Sequence, residues 1–320
     1  MNGSFYDTGR RDFMMRSAGA AVGLHLSSIL DTQLAAGEES PLFSFGVIAD
    51  IQYCDCEPKG SRYYCQSPLK LEACVQALNA HNPAFVVQLG DLIDRDFASY
   101  DTILPIFDQI SSPKYHVLGN HDFSVTDDDK LRVLDRLGLE SNYYSFAHKG
   151  VRFVVMDGND VSLYAVPSGT PRHREARRIL NTLKKSGAEN AQEWNGAVGG
   201  SQLKWFEETL RKAGEDDEPV VVFCHFPVFP PNVHNLWNDG AVIDSAQVCP
   251  HVAAYMNGHN HAGNYGEKNG IHYLTFQGMV ETPDTTAYAV VDVYRDRFKI
   301  RGYGREPERD LALRTAGRKS

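Results

Sequence analysis

Six cysteines in 320 residues are too few to build a disulfide framework. Cys54, Cys56 and Cys65 fall in one short segment, so a single local bridge among them stays open, while Cys224 inside an apolar run reads as a buried thiol. No apolar run is long enough to span a bilayer stably. Nor is there a surplus of basic residues: 32 Lys and Arg stand against 41 Asp and Glu, a formal charge of -9, which argues against long nucleic acid as a partner. Repeats and low-complexity blocks are missing too, which sets aside solenoid and collagen-like chains. With 42% hydrophobic and 23% charged residues, the chain has the make-up of a soluble globular protein with a sizeable core. A monomer is expected.

Residues 1–37 differ from the rest. Arg10-Arg11-Asp12-Phe13 precedes a weakly apolar stretch from Ser17 to Leu30, and small residues follow at Ala35-Ala36-Gly37. Charged, apolar and cleavage regions in that order read as an export signal, and the paired arginines resemble a twin-arginine one. The expectation is an exported, extracytoplasmic or periplasmic protein, with a cytoplasmic location as the alternative. The fold is therefore sought in residues 43–310, with 311–320 as a tail.

From Phe43 onward, short apolar runs alternate with segments of helical period. Phe43 to Ala49, Ala84 to Leu89, Tyr115 to Leu118, Val151 to Met156, Val220 to Cys224 and Val252 to Met256 read as strands buried on both faces. Helices are expected from Ser67 to about His81, with Ser67 as the cap and Pro68 in first position, and over Tyr100 to Ile110, Lys130 to Leu137, Pro171 to Lys185 and Ser201 to Ala213. After Gly270 helices give way to strands: His272 to Phe276, Ala287 to Tyr294 and Phe298 to Tyr303 fit a closing antiparallel meander. The pattern is that of one α/β domain.

Chemistry sits at the ends of these strands. Asp50-Ile51-Gln52 follows the first, Gly90-Asp91-Leu92-Ile93-Asp94 the second and Gly119-Asn120-His121-Asp122 the third. His225 follows a later one, and Gly258-His259-Asn260-His261 the one after that. Open α/β sheets place their ligands at the carboxyl ends of their strands. Carboxylates that can bridge, imidazoles and amide oxygens are together the donors a pair of divalent cations requires. In extended backbone, residues i and i+2 point the same way, so Asp50 and Gln52, like His259 and His261, can reach one cavity. A lone Gly-Asp is ordinary turn chemistry and a lone His a rim residue, but the ordered set of five is not explained that way.

These ordered blocks resemble the calcineurin-like metallophosphoesterases, with the pattern D-x-H, G-D-x-x-D, G-N-H-[DE], a lone His, then G-H-x-H. Within that superfamily the chain is similar to the manganese-dependent ADP-ribose/CDP-alcohol diphosphatases in FGVIADIQY, with Gln52 where most relatives have His, in GGSQLKWFEETL, and in GHNHAGNY followed by GMVETPD. The resemblance implies a four-layer α/β-β/α sandwich of two mixed β-sheets flanked by helices, with a dimetal site at the strand C-terminal rim. It implies that Asp50, Gln52, Asp91 and His261 hold one cation. Asn120, His225 and His259 hold the other, with Asp91 bridging. His121 would serve as general acid or charge clamp beside the phosphate, with Asp94 and Asp122 orienting ligands or His121.

The implied activity is hydrolysis of the phosphoanhydride bond of a small-molecule nucleoside diphosphate-X, by attack of a metal-bridging hydroxide on phosphorus. A neutral amide at Gln52 makes its site harder than an imidazole would, favouring Mn(II), with Mg, Fe or Zn as alternatives. Another phosphomonoesterase or phosphodiesterase is the second reading, and a non-catalytic metal-binding module the third. Substrate contacts are not legible. Arg62, Tyr63 and Tyr64, after the first metal loop, read as a solvated loop with aromatic packing, with contact to a base or ribose as the alternative; Trp194 and Trp237 read as rim residues able to stack on a base, and the remaining histidines, His234 among them, as structural or surface residues.

Overall fold

The computed structural model describes residues 40–314. The export-signal reading of residues 1–37 lies outside the described residues. Two six-stranded mixed sheets carry the fold. The first takes β1 (Phe43–Ile48), β2 (Val86–Gln88), β3 (Lys114–His116), β10 (Ala287–Val293), β11 (Arg297–Gly304) and β12 (Arg309–Ala312) in the order β12-β11-β10-β1-β2-β3. The second takes β4 (Tyr144–His148), β5 (Val151–Val155), β6 (Val220–Phe223), β7 (Val252–Asn257), β8 (Asn264–Lys268) and β9 (Ile271–Thr275) in the order β4-β5-β6-β7-β9-β8. Strands β1, β2 and β3 run parallel, as do β5, β6, β7 and β9.

Alternation along the strands builds the layers. Phe43, Phe45 and Val47 of β1 point between the sheets into one core with Phe153, Phe223 and Val291, whereas Ile48 joins a separate core with Leu71 and Leu78. The Phe45 ring stacks on Phe85 at 5.0 Å and meets Phe153 and Phe223 edge-on at 5.7 and 5.9 Å. Helices α1 (Ser67–His81) and α2 (Ser99–Phe107) cover the first sheet. In chain order, two single turns, α3 (Asp127–Lys130) and α4 (Val133–Arg136), and then α5 (Pro171–Ser186) come between α2 and the second sheet's helices, with Val133 of α4 in the core of α1 and α2. The second sheet is covered by α6 (Gly200–Glu215) and α7 (Asp239–Val248). The expected four-layer sandwich is the fold of the chain.

Four local expectations are corrected. Ser67 is the first residue of α1 and caps nothing; its hydroxyl donates to the Ile51 carbonyl at 2.5 Å, tying the helix start to the loop after β1. In place of one helix over Lys130 to Leu137 there are two turns: Thr126 accepts from the Asp129 amide and starts α3 at Asp127, and α4 begins at Val133. The segment around His272 is not part of the closing meander. Asn269 and Gly270, both at positive φ, make a two-residue turn that returns β9 antiparallel to β8 and keeps it in the second sheet, beside β7. The meander is instead β10, β11 and β12, so ordered strand runs past residue 310.

Candidate metal centre

The first sheet contributes the loops after β1, β2 and β3, and the second those after β6 and β7. All converge on one edge of the sandwich. The chain reaches it through unusual backbone: Asp50, Gln52, Asp91 and His259 all have positive φ, at 50°, 43°, 59° and 65°. For non-glycine residues this costs on the order of 1–3 kcal/mol each and persists only where surrounding bonds impose it. They do so here: the Gln52 amide donates to the Asp91 carbonyl at 2.8 Å, and the His259 amide to both Asp50 oxygens at 3.2 and 3.1 Å. Gly119 is required by space. A Cβ there would sit 2.1 Å from Asp91 Oδ1.

Asp91 lies at the middle of the cluster. Its Oδ1 accepts from the His121 amide at 2.7 Å, and its Oδ2 accepts from Gln52 Nε2 at 2.9 Å and lies 3.3 Å from His225 Nε2. On one side, His261 Nε2 is 3.1 Å from Gln52 Nε2 and 3.3 Å from Asp50 Oδ1. On the other, His225 Nε2 is 3.1 Å from both Asn120 Oδ1 and His259 Nδ1. All seven side chains are buried, and the donor atoms of Asp91, His225 and His259 lie within 4.8 Å of one another.

The outer nitrogen of each histidine is already committed. His225 Nδ1 donates to the Leu89 carbonyl at 2.8 Å, His259 Nε2 to Asn195 Oδ1 at 3.0 Å, and His261 Nδ1 to Glu281 Oε1 at 2.7 Å. The Asn195 amide is oriented by its own Nδ2, which donates to the Asn190 and Val233 carbonyls. Each neutral imidazole therefore turns its lone pair inward, as metal-binding histidines do.

Inward lone pairs crowded against carboxylates call for positive charge. Burial disfavours a charged His225, yet Asp91 and Asp50 outweigh it and raise its pKa to about 9. Burial likewise works against an ionised Asp91, but His225, His121 and His259 hold it well below the usual carboxylate range. For His259 burial and the neighbouring His225 charge act together and push the pKa well down. Gln52 Oε1 is buried with no hydrogen-bond partner at all. Carboxylates, an amide oxygen and imidazole lone pairs in this arrangement fit divalent cations, which would displace protons from the imidazoles.

The two accessory aspartates differ in role. His121 Nδ1 lies 2.8 Å from Asp94 Oδ1, an ion-pair contact, and donates to the Asp94 backbone carbonyl at 3.2 Å. Burial lowers the pKa of His121, but Asp91 and Asp94 more than reverse this and the net shift is upward. Asp122 does not touch the His121 ring. It accepts from the amides of Asp91, Leu92 and Gly119 and from the Tyr100 hydroxyl, bracing the Asp91 loop against the Asn120 loop.

Beside the cluster opens a cavity of about 330 Å³, lined by Gln52, Asn120, His121, His259 and His261 and also by Arg62, Trp194 and His234. Arg62 and His234 thus belong to the site rather than to a solvated loop or the general surface. Trp194 is 46% exposed there. Trp237 is not: it is buried, its indole N–H donating to the Gln192 carbonyl beside residues of α5. Tyr64 is buried against Cys54 and Val280. Sequence reasoning does not find Asn195 and Glu281, although Asn195 adjoins Trp194 and Glu281 lies within GMVETPD.

Residues 43–263 match the calcineurin-like phosphoesterase family. The chain belongs to that family. It is a metal-dependent hydrolase. This phosphoesterase is 33% identical over 330 residues to the manganese-dependent ADP-ribose/CDP-alcohol diphosphatase of Xenopus tropicalis, covering 86% of this chain and 96% of that protein. It is 32% identical to the Arabidopsis thaliana protein of the same name, covering 87% and 99%. A solved dimetal phosphatase from Danio rerio superposes with a TM-score of 0.78 at 28% identity, over 86% of this chain and all of that one.

Proposed function

We propose that this phosphoesterase hydrolyses the phosphoanhydride bond of nucleoside diphosphate-X compounds such as ADP-ribose and CDP-alcohols, with Mn(II) as its preferred cation. The reading rests on one observation above the others: a cluster sharing Asp91 opens directly into a cavity that also holds a cation, Arg62, and an exposed aromatic face, Trp194. Its volume is at the small-molecule end of ligand pockets. Two relatives that bear that activity in their names match this chain over nearly their whole length.

Asp50, Gln52, Asp91 and His261 would hold one cation, and Asn120, His225 and His259, with Asp91 shared, the other. Once bound, such a pair supplies Lewis acidity toward phosphoryl oxygens and a water activated for in-line attack at phosphorus. The chain's own groups do the rest. Leu89, Asn195 and Glu281 hold the three imidazoles in the tautomer that presents lone pairs to the centre. Asp94 occupies His121 Nδ1–H and favours its protonated form, leaving Nε2–H to donate to the departing phosphate oxygen. Arg62 neutralises charge on the phosphate that is not attacked, and Trp194 offers its ring to the base. ADP-ribose would yield AMP and ribose 5-phosphate, and CDP-choline CMP and phosphocholine.

A panel of ADP-ribose, CDP-choline, cyclic AMP, bis-p-nitrophenyl phosphate and p-nitrophenyl phosphate, assayed with Mn(II) and resolved by chromatography, tests the proposal. The two diphosphates should be turned over with the highest kcat/KM. Preference for either nitrophenyl ester or for cyclic AMP would overturn the assignment.

A further inference from the structure

A second set of metal-type donors lies beside the cavity, in the loop between Gln52 and α1. Cys54, Cys56 and Asp94 bring two sulfurs and a carboxylate oxygen within 4.8 Å of one another, with Cys54 and Asp94 buried and Cys56 half-buried. The two cysteines are joined as a disulfide. Cys65, a free and exposed thiol, places its Sγ 3.2 Å from the Cys56 carbonyl and 3.4 Å from that of Cys54, so a third sulfur hangs over the same turn. The backbone fixes this meeting: the Asp94 amide donates to the Tyr53 carbonyl at 3.0 Å, and Tyr64 packs beneath Cys54. Asp94 is otherwise held by His121 and by the exposed Arg95.

We propose that the reduced form of this loop is a binding site for a borderline-soft divalent cation, Zn(II) above all, held by Cys54, Cys56 and Asp94, with a water in the fourth position. Two sulfurs and one carboxylate oxygen, completed by a water, meet the tetrahedral count that zinc takes. Thiolates select against Mn(II), which prefers oxygen, so this site and the dimetal centre would sort different metals from one mixture. Cys54 and Cys56 at i and i+2 reach the same side of a turn and can chelate one ion. An external dithiol opens the site: the Cys54–Cys56 bond breaks, two electrons and two protons pass to the two sulfurs, and the reductant closes its own disulfide. On binding, the cation displaces the thiol protons to solvent.

Occupation of the site has a consequence for turnover. The carboxylate recruited is the one that holds His121 Nδ1 at 2.8 Å, so the loaded site slows the hydrolase by loosening its acid. That consequence alone rests on the function proposed above.

The test uses the full-length protein with Mn(II) in excess, reduced by a dithiol that is then removed, and titrated with Cd(II) as a spectroscopic stand-in for Zn(II). The ultraviolet cadmium–thiolate charge-transfer band should rise to one equivalent and be bleached by added Zn(II). It should be absent from the oxidised wild type, a control that changes no residue, and strongly reduced in Cys56→Ser. Failure of the band to appear in reduced wild type, or its persistence unchanged in both controls, would overturn the proposal. The band is read without substrate, so a negative result leaves the hydrolase reading standing.

Discussion

His225 Nε2 and His259 Nδ1 face each other across 3.1 Å, while the far nitrogen of each ring is spent as a donor, one to the Leu89 carbonyl and one to Asn195 Oδ1. Two imidazoles so anchored cannot hydrogen-bond each other as neutral rings. Only a proton or a metal cation reconciles them. The raised pKa of His225, pulled up by Asp91 and Asp50 against the effect of burial, is the signature of that demand.

Asn195→Ala removes the acceptor that fixes His259 without touching the inward donors. Metal affinity should fall about 10–100-fold. Most of kcat should return at saturating Mn(II). Activity titrated against Mn(II) gives both quantities, and an unchanged titration midpoint would show that the Asn195 bond is incidental.

Gln52 supplies a neutral amide where an imidazole would be softer. Wild-type protein purified without added metal should gain several-fold more activity from Mn(II) than from Zn(II), and Gln52→His should shift that ratio toward Zn(II). Parallel activation curves for the two proteins would remove Gln52 from the account of metal choice.

His121→Ala should lower kcat by about 10²–10⁴-fold if the imidazolium protonates the leaving phosphate. Asp94→Asn tests the same proton more gently. His121 works protonated, and the Asp94 charge is one of the two forces that lift its pKa against burial. Deleting that charge lowers the pKa, so the basic limb of the kcat profile should move to lower pH while the acidic limb stays in place. A uniform drop in rate with no displacement of the limb would make Asp94 a structural support only.

The donor set was legible in the sequence because each member stands within a few residues of a buried strand end, and strand ends occupy fixed places on the rim. Asp50, Asp91, Asn120, His225 and His259 needed no knowledge of the loops between them. Asn195 could not be found that way. It sits 64 residues from His259 in a loop between α5 and α6, and its orientation depends on the Asn190 and Val233 carbonyls. Glu281 is set by a turn whose carbonyls, at Met279, Glu281 and Thr282, are gathered by the buried ammonium of Lys70. The misplacement of β9 has a different cause. An apolar five-residue run says that a strand is buried, not which sheet takes it, and the deciding signal was the Asn269-Gly270 turn.

The central claim is that two cations share Asp91. The direct test is metal analysis of chelator-stripped protein dialysed against Mn(II), alongside Asp91→Ala and with circular dichroism to confirm folding. The account predicts two tightly held Mn(II) per wild-type chain and at most one in a folded, inactive Asp91→Ala. One or none in the wild type, or two retained by the variant, would contradict it.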